Sequence, residues 1–487
     1  MTLPWSERRR PERAWSAPGR QVRKKLSAWL RRLSPTSRLL LSFAGLIAAG
    51  TLLLYLPWSA ASAETRLSLV DAFFTSTSAV CVTGLSSIDV GARLSGFGQA
   101  MLLLLIQLGG LGFITFSTGL LLSLGLRSSM LNRAALSESL ASHGEWRIQN
   151  LMLRIFVSTV LMELLGAVIL AARFRTIENC STGQACWHGL FHSVSAFCNA
   201  GFSTFSSKAG DRNDNLIAYA QDLPVNLTVM ALIVLGGLGF LVLGELIDWV
   251  KLRGRHRLGL HTKIVLSTSA VLIAGGALFC FLLERGGMFA GEPWPRAVLP
   301  SLFQSVSART AGYNSVDIGA LASPTLLLLI VLMFIGGSPA SAAGGVKTTT
   351  AFVIYQVAVA RLITRRFPNA FGREIGQETV SRAATLVVTA ILTVAAAGGL
   401  LLVLEAHRPI QKCSGGIFLD LCFETVSAFG TVGLSTGITP YLTDGSKVLL
   451  ALLMYLGRMG PLTVFVALAQ PPRKDKVRYP EEPVLVG

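Results

Sequence analysis

Four short loops carry backbone chemistry that side chains do not supply. They read Ser78-Ala79-Val80-Cys81-Val82-Thr83-Gly84, Ser195-Ala196-Phe197-Cys198-Asn199-Ala200-Gly201, Ser307-Ala308-Arg309-Thr310-Ala311-Gly312 and Ser427-Ala428-Phe429-Gly430-Thr431-Val432-Gly433, with Phe74, Phe191, Phe303 and Phe423 at the matching upstream place. A dehydrated monovalent cation is best held by several neutral carbonyl oxygens that converge on one axis. Turning successive carbonyls the same way asks for backbone angles that glycine adopts without strain. The candidate ion ligands are therefore Val82, Thr83 and Gly84; Asn199, Ala200 and Gly201; Thr310, Ala311 and Gly312; and Thr431, Val432 and Gly433. Hydroxyls of Thr83, Thr310 and Thr431 can add support. No acidic residue lies in the loops, which favours K⁺ over Ca²⁺ or Mg²⁺. One glycine per loop gives a shorter filter than Thr-Val-Gly-Tyr-Gly would, with fewer ion sites and looser discrimination expected. The third copy is one residue shorter, so any fourfold symmetry is approximate at Arg309.

A second repeated mark lies further along each copy: Gly109-Gly110-Leu111-Gly112, Gly236-Gly237-Leu238-Gly239, Gly336-Gly337-Ser338-Pro339 and Gly457-Arg458-Met459-Gly460. In the first two the expected role is close helix packing through small residues. The third opens the run Gly336, Gly337, Ser338, Pro339, Ala340, Ser341, Ala342, Ala343, Gly344 and Gly345, followed by Lys347. Proline removes a backbone donor and glycine forfeits stiffness, so this run cannot stay helical. A gate is the functional reading and a packing kink the alternative. In the fourth copy Arg458 stands in the middle of an apolar span, where a charge is costly and marks function. It can act as a positive barrier in the path or pair with an acid such as Glu163; Lys347 can assist the barrier.

These loops need a scaffold, and the composition says which kind. The 487 residues are 52% hydrophobic and 14% charged, against roughly 25% charged in soluble domains. Apolar runs near the length of about 20 residues that a bilayer requires fall at 39–57, 98–122, 150–171, 225–249, 264–283, 324–360, 384–404 and 447–469. The net charge of +17 is unevenly placed. Segments 1–38, 126–154, 251–263, 361–382 and the tail from 471 carry +9, +2, +5, +3 and +1, whereas 62–95, 173–223, 284–320 and 405–447 carry −1, 0, 0 and −1. Basic residues on alternate connections mark the cytoplasmic side. Both termini are thus expected inside and the glycine loops are expected to enter from outside. The distribution also argues against a nucleic-acid partner.

The expected fold is an all-α membrane protein of four tandem span–pore-helix–span repeats around one central pore. A basic tail occupies 1–38, repeats occupy 39–127, 128–258, 259–366 and 367–470, and a C-terminal tail occupies 471–487. Irregular backbone at membrane depth must be buried in protein or line a watery cavity, so the loops face inward. Each preceding short helix aims its negative dipole end at the centre. Asp71 and Asp420, thirteen residues before Gly84 and Gly433, are expected as helix N-caps. Trp5, Trp15 and Trp29 among arginines suit a lipid surface, although a solvated tail that fixes orientation explains them too.

Other constellations lead nowhere catalytic. His188 and His192 share a helix face, but no third ligand accompanies them, so capping and packing are expected. Cys180 with Cys186, and Cys413 with Cys422, allow disulfides without demanding them. No nucleotide-phosphate loop, catalytic set, protease pattern or helix with arginine at every third position is present.

With Val82-Thr83-Gly84-Leu85, Asn199-Ala200-Gly201-Phe202-Ser203, Ala308-Arg309-Thr310-Ala311-Gly312-Tyr313-Asn314, Thr431-Val432-Gly433-Leu434-Ser435, Gly344-Gly345-Val346-Lys347-Thr348 and Gly457-Arg458-Met459-Gly460-Pro461-Leu462 in hand, the chain resembles the Trk/Ktr/HKT superfamily of potassium transporters from about residue 37 to 470. It resembles the Ktr-type membrane subunits in lacking room for two extra N-terminal spans. The resemblance implies homodimers with one pore per subunit and a cytosolic ring of RCK-type nucleotide-binding subunits (KtrA-like) that regulates them. It implies that Gly336 to Lys347 is an intramembrane gating loop and that Arg458 stands in the conduction path. No covalent cofactor is implied; K⁺ is the permeant ion, and Na⁺ is an activator in some relatives. The expected function is K⁺ uptake across the bacterial inner membrane through a gated channel-like pore. A Na⁺-coupled symporter with alternating access is the alternative, disfavoured because all four repeats run in the same orientation.

Overall fold

The structure, a computed structural model, describes residues 35–112, 145–206, 215–252, 257–364, 367–406 and 416–460. Most of the basic tail, the ends of the expected spans 98–122 and 447–469, Cys413 and the C-terminal tail lie outside the described residues.

Each repeat begins with a long apolar helix: α1 (Pro35–Tyr55), α4 (Glu145–Glu178), α8 (Leu260–Glu284) and α12 (Gln377–Glu405). Parts of these four are long and apolar enough to cross a membrane. A shorter helix follows each one: α2 (Leu69–Val80), α5 (Thr182–Phe197), α9 (Trp294–Ser307) and α13 (Ile417–Gly430). Local sequence starts them. Ser181 and Gln184 form a reciprocal capping box on α5, and Trp294-Pro295 starts α9 with proline in its first turn. The expectation for Asp71 and Asp420 is corrected here. Ser68 caps α2 by accepting the Asp71 amide, which leaves Asp71 in the first turn, and α13 starts from Gly416. Ser68-Leu69-Val70-Asp71 has the spacing of a capping box, with serine rather than the acid at the cap.

The C-terminal halves of the short helices are buried, and Phe74, Phe191, Phe303 and Phe423 are each fully covered. These aromatics belong to cores that cross repeat boundaries. Phe43, Phe74 and Leu85 share one with Phe429, Leu450 and Met454. Phe197 and Val229 share another with Phe303 and Tyr313, and Ala308 and Met333 a third with Phe423 and Val432.

The closing helices of the repeats differ. They are α3 (Gly96–Gly112), α6 (Leu223–Leu238) with α7 (Phe240–Lys251), α10 (Ser323–Phe334) with α11 (Thr348–Leu362), and α14 (Asp444–Met459). The run expected as one span at 225–249 is broken: α6 and α7 meet at Gly239 with a bend of 106°. Gly239 has φ +92°, a conformation that residues with a Cβ rarely adopt. The expected interruption of 324–360 is present between Phe334 and Thr348.

Candidate ion pathway

A helix that ends inside protein leaves carbonyls without partners, and the serine of each Ser-Ala pair answers this. The Ser78, Ser195, Ser307 and Ser427 carbonyls accept from the amides of Thr83 (2.8 Å), Ala200 (2.7 Å), Ala311 (3.0 Å) and Val432 (2.9 Å). Their hydroxyls work in two ways. Ser78 and Ser427 accept from the Gly84 and Gly433 amides at 3.0 and 3.1 Å. Ser195 donates to the Phe202 carbonyl at 3.0 Å, and Ser307 donates to the Tyr313 carbonyl.

The four glycines then follow one another in a closed cycle. A Cβ built on Gly84 would lie 3.2 Å from the Gly201 Cα, one on Gly201 2.8 Å from Gly312, one on Gly312 3.1 Å from Gly433, and one on Gly433 3.0 Å from Gly84. Each such atom would also overlap a carbonyl oxygen of the next loop: Ala200, Ala311, Val432 and Thr83 in turn. Any side chain here drives neighbouring loops apart. Positive φ recurs as well, at Gly84 (+95°), Gly201 (+66°), Gly312 (+75°) and Gly433 (+94°). Two residues earlier, Val82 (+56°), Asn199 (+59°), Thr310 (+69°) and Thr431 (+49°) do the same, and the residue between keeps negative φ. Alternating hand turns successive carbonyls to one side. The sequence reading placed the unusual angles on glycine alone. Only Asn199 among the four upstream residues tolerates this conformation readily; for branched Val82, Thr310 and Thr431 it costs about 1–3 kcal/mol each.

Beside this ring lies the interruption of repeat 3. Its neck is closed by the Gly336 amide on the Val346 carbonyl (2.9 Å) and the Thr348 amide on the Gly337 carbonyl (3.0 Å). Its body rests on the elbow of repeat 2: Ser338 donates to the Gly237 carbonyl (3.0 Å), Ala342 to the Gly236 carbonyl (3.4 Å), and Phe240 to the Ala340 carbonyl (3.0 Å). Ala340 and Gly345 have φ +55° and +65°, and Ser341 Oγ donates to the Ser338 carbonyl at 2.6 Å. Pro339 turns its carbonyl toward Gly239, where a Cβ would collide with it. Gly344 abuts the Thr431 side chain, which ties the run to the glycine loop of repeat 4. Ala343 packs against Gly337. Lys347 Nζ donates to the Ala343 carbonyl at 2.6 Å.

Arg458 occupies the place that Gly110, Gly237 and Gly337 hold in the other repeats. It is 8% exposed. One guanidinium nitrogen donates to the Ala342 carbonyl in the interruption, and the other donates to the Gly109 carbonyl on α3 at 2.6 Å. The side chain thus bridges repeat 1 and the interruption of repeat 3. Glu163, the alternative partner, instead accepts from Gln107 Nε2 at 3.0 Å, so the pairing with Arg458 is not formed.

The histidines are packing and support groups. His192 Nε2 meets Ser203 Oγ at 3.0 Å, His188 Nδ1 meets Thr204 Oγ1 at 2.6 Å, and both rings stack on Phe205. No group of three or more metal-ligating side chains occurs among the described residues. Cys180, Cys186 and Cys422 are free thiols. Sequence reasoning missed the elbow at Gly239 and the Gly236 and Gly237 carbonyls as docking points. The glycine signature was visible, but its role as a bend was not.

Apolar helices surrounding buried, irregular backbone loops define a polytopic helical membrane protein. The family model of the TrkH cation transport proteins matches residues 42–478, and the chain belongs to that family. It is 37% identical over 458 residues to the Ktr system potassium uptake protein B of Vibrio alginolyticus, covering 92% of this chain and 94% of that one. It is 36% identical to the protein of the same name from Bacillus subtilis, covering 95% of this chain and 99% of that one. It is also 36% identical to the potassium/sodium uptake protein NtpJ of Enterococcus hirae, covering 94% and 98%. The crystal structure of the potassium transporter TrkH from Vibrio parahaemolyticus shares the fold, with TM-score 0.68 at 20% identity over 90% of this chain and 86% of that one. The chain is therefore a membrane transport protein and not an enzyme.

Proposed function

We propose that the chain is the translocating subunit of a K⁺ uptake system. In this reading residues 39–127, 128–258, 259–366 and 367–470 are four pore units around one axis, with approximate fourfold symmetry. The observation that carries it is the closed cycle of Gly84, Gly201, Gly312 and Gly433, each against the next loop's carbonyl. The three ligand positions of each loop, from Val82 to Gly433, form the selectivity filter, and their neutral carbonyls suit a dehydrated monovalent cation. The run from Gly336 to Gly345, with Lys347 and Arg458, is the gate. The hydrogen bonds of Arg458 to Ala342 and Gly109 support this role, because they hold a cation and a loop in one place. The printed names of the relatives, potassium uptake for two and potassium/sodium uptake for the third, support K⁺ as cargo and make Na⁺ the ion to test as activator.

The same reading places both tails, 1–38 and 471–487, on the cytoplasmic side of a bacterial inner membrane. It pairs the subunit with a second copy and with a cytosolic RCK-type nucleotide-binding ring; the word "system" in the relatives' names supports further subunits. Moving one charge across the bilayer is worth about 2.3 kcal/mol per 100 mV, enough to accumulate K⁺ without ATP. The test is flux of K⁺ and Na⁺ into proteoliposomes under an imposed potential, with and without a Na⁺ gradient. Potential-driven K⁺ flux that ignores the Na⁺ gradient is expected. Flux that requires the Na⁺ gradient in fixed ratio would make the chain a symporter.

A further inference from the structure

The four glycines of the ring differ in what their carbonyls meet. Among the described residues, the Gly312 carbonyl accepts a hydrogen bond, from Asn215 Nδ2 at 3.3 Å; the Gly84, Gly201 and Gly433 carbonyls accept none. Asn215 belongs to the connection after the glycine loop of repeat 2, yet it reaches the loop of repeat 3. Its place is built. It is 6% exposed and holds φ +50°, a left-handed conformation that asparagine tolerates better than other side chains. The Leu216 amide donates to the Asn314 carbonyl at 3.1 Å, and Ser203 Oγ donates to the Asn215 carbonyl at 3.5 Å. Tyr313 adds a strut between the same two loops by donating from its hydroxyl to the Phe202 carbonyl at 2.9 Å.

We propose that Asn215 is a specificity-determining residue that draws the Gly312 carbonyl away from the ion, so that the glycine layer of the filter offers three free carbonyl oxygens instead of four. The inference rests on the reading of the glycine loops as a filter. Its chemistry is ligand number. K⁺ is larger than Na⁺ and accommodates more oxygen ligands, so a layer short of one carbonyl loses more of its affinity for K⁺ than for Na⁺; ligand count and field strength both enter selectivity. The amide donor adds a partial positive charge beside the depleted position. The third repeat is also the one whose loop is a residue shorter, so the departure from symmetry at Arg309 and the engaged carbonyl fall in the same quadrant.

The experiment compares K⁺ and Na⁺ permeation of the full chain in proteoliposomes under imposed potential. Asn215→Gly keeps the left-handed backbone accessible and removes the donor. It is expected to raise the K⁺/Na⁺ ratio by about threefold or more, the weight of one hydrogen bond, with an unchanged thermal midpoint. Asn215→Asp keeps the side chain's size and replaces the donor by an acceptor that repels the carbonyl, and it is expected to shift the ratio the same way. A ratio that stays constant or falls in Asn215→Gly overturns the proposal. Gly84→Ser, in the loop where the glycine carbonyl is free, separates the two levels. If Gly84→Ser changes selectivity while Asn215→Gly does not, the filter stands and the role of Asn215 fails. If neither changes it, the filter reading fails as well.

Discussion

The closing helices of repeats 1, 2 and 4 rest on the central loops in one way, and that of repeat 3 in another. A Cβ on Gly109, Gly236 or Gly457 would collide with the carbonyl of Val80, Phe197 or Phe429, the residue after Ser-Ala in its own repeat. Gly336, at the matching place, meets instead the Gly344 carbonyl of the interruption. Three repeats therefore join helix to loop by backbone contact with nothing between them. In the third, a length of chain has been inserted between the two, so that the gate proposed above would be the one part of this scaffold not tied directly to its own loop. One glycine signature serves a direct joint in three places and an indirect one, through the inserted run, in the fourth.

The largest effect that would sharpen this contrast lies at the fixed joints. Gly236→Ala forces apart two stretches of main chain, neither of which can rotate away. The expected result is loss of folded protein in detergent, with a penalty of about 3 kcal/mol or more. Gly336→Ala displaces chiefly the interruption, the Thr310 methyl at 3.2 Å being the other close neighbour, and should leave a folded protein with raised flux; equal damage from both would break the comparison. Next is Arg458→Gln, which removes the cation that bridges the interruption to repeat 1. Hydrogen bonds to a charged group contribute about 1.5–3 kcal/mol each, so K⁺ flux is expected to rise about tenfold or more. Unchanged flux would mean that the interruption obstructs nothing.

A smaller, qualitative change is expected at the ring. Gly312→Ser adds a Cβ against the Val432 carbonyl and should lower the K⁺/Na⁺ ratio severalfold; unchanged selectivity counts against the ring as filter. Smallest is Asp71→Asn. Asp71 meets Lys447 at 3.0 Å between repeats 1 and 4, with side chains 15% and 9% exposed, and also accepts from Ser87 at 2.7 Å. Asparagine keeps most of these contacts, so a stability loss of about 1.5–3 kcal/mol is expected, with transport intact. A collapse of transport would make this boundary more than a brace.

Much of this arrangement could be read from residues alone. The four loops, the shorter third copy, the interruption and Arg458 are local signatures, set by residue types that the backbone or the bilayer tolerates in few other settings. What escaped depends on partners distant in sequence. Ser68 rather than Asp71 caps α2 because the cap is decided by which residue keeps an extended backbone. Gly239 bends its helix by 106° with the Pro339 carbonyl of another repeat lying against it, a contact no window of sequence contains. Branched Val82, Thr310 and Thr431 take left-handed angles against their own preference, which residue type alone does not announce.

On the gating reading proposed above, the seating of the interruption on the elbow also sets an occupancy. Ser338, Ala342 and Ala340 share three backbone hydrogen bonds with Gly237, Gly236 and Phe240, and one displaced segment breaks them together. At about 1 kcal/mol each, they bias a two-state equilibrium by roughly 150 to 1 toward the seated arrangement. Single molecules should then show long silent intervals broken by brief bursts, not a graded conductance. Offsetting that bias takes about 3 kcal/mol and reversing it to the same degree about 6 kcal/mol, whereas one coupled contact change typically supplies about 1–3 kcal/mol.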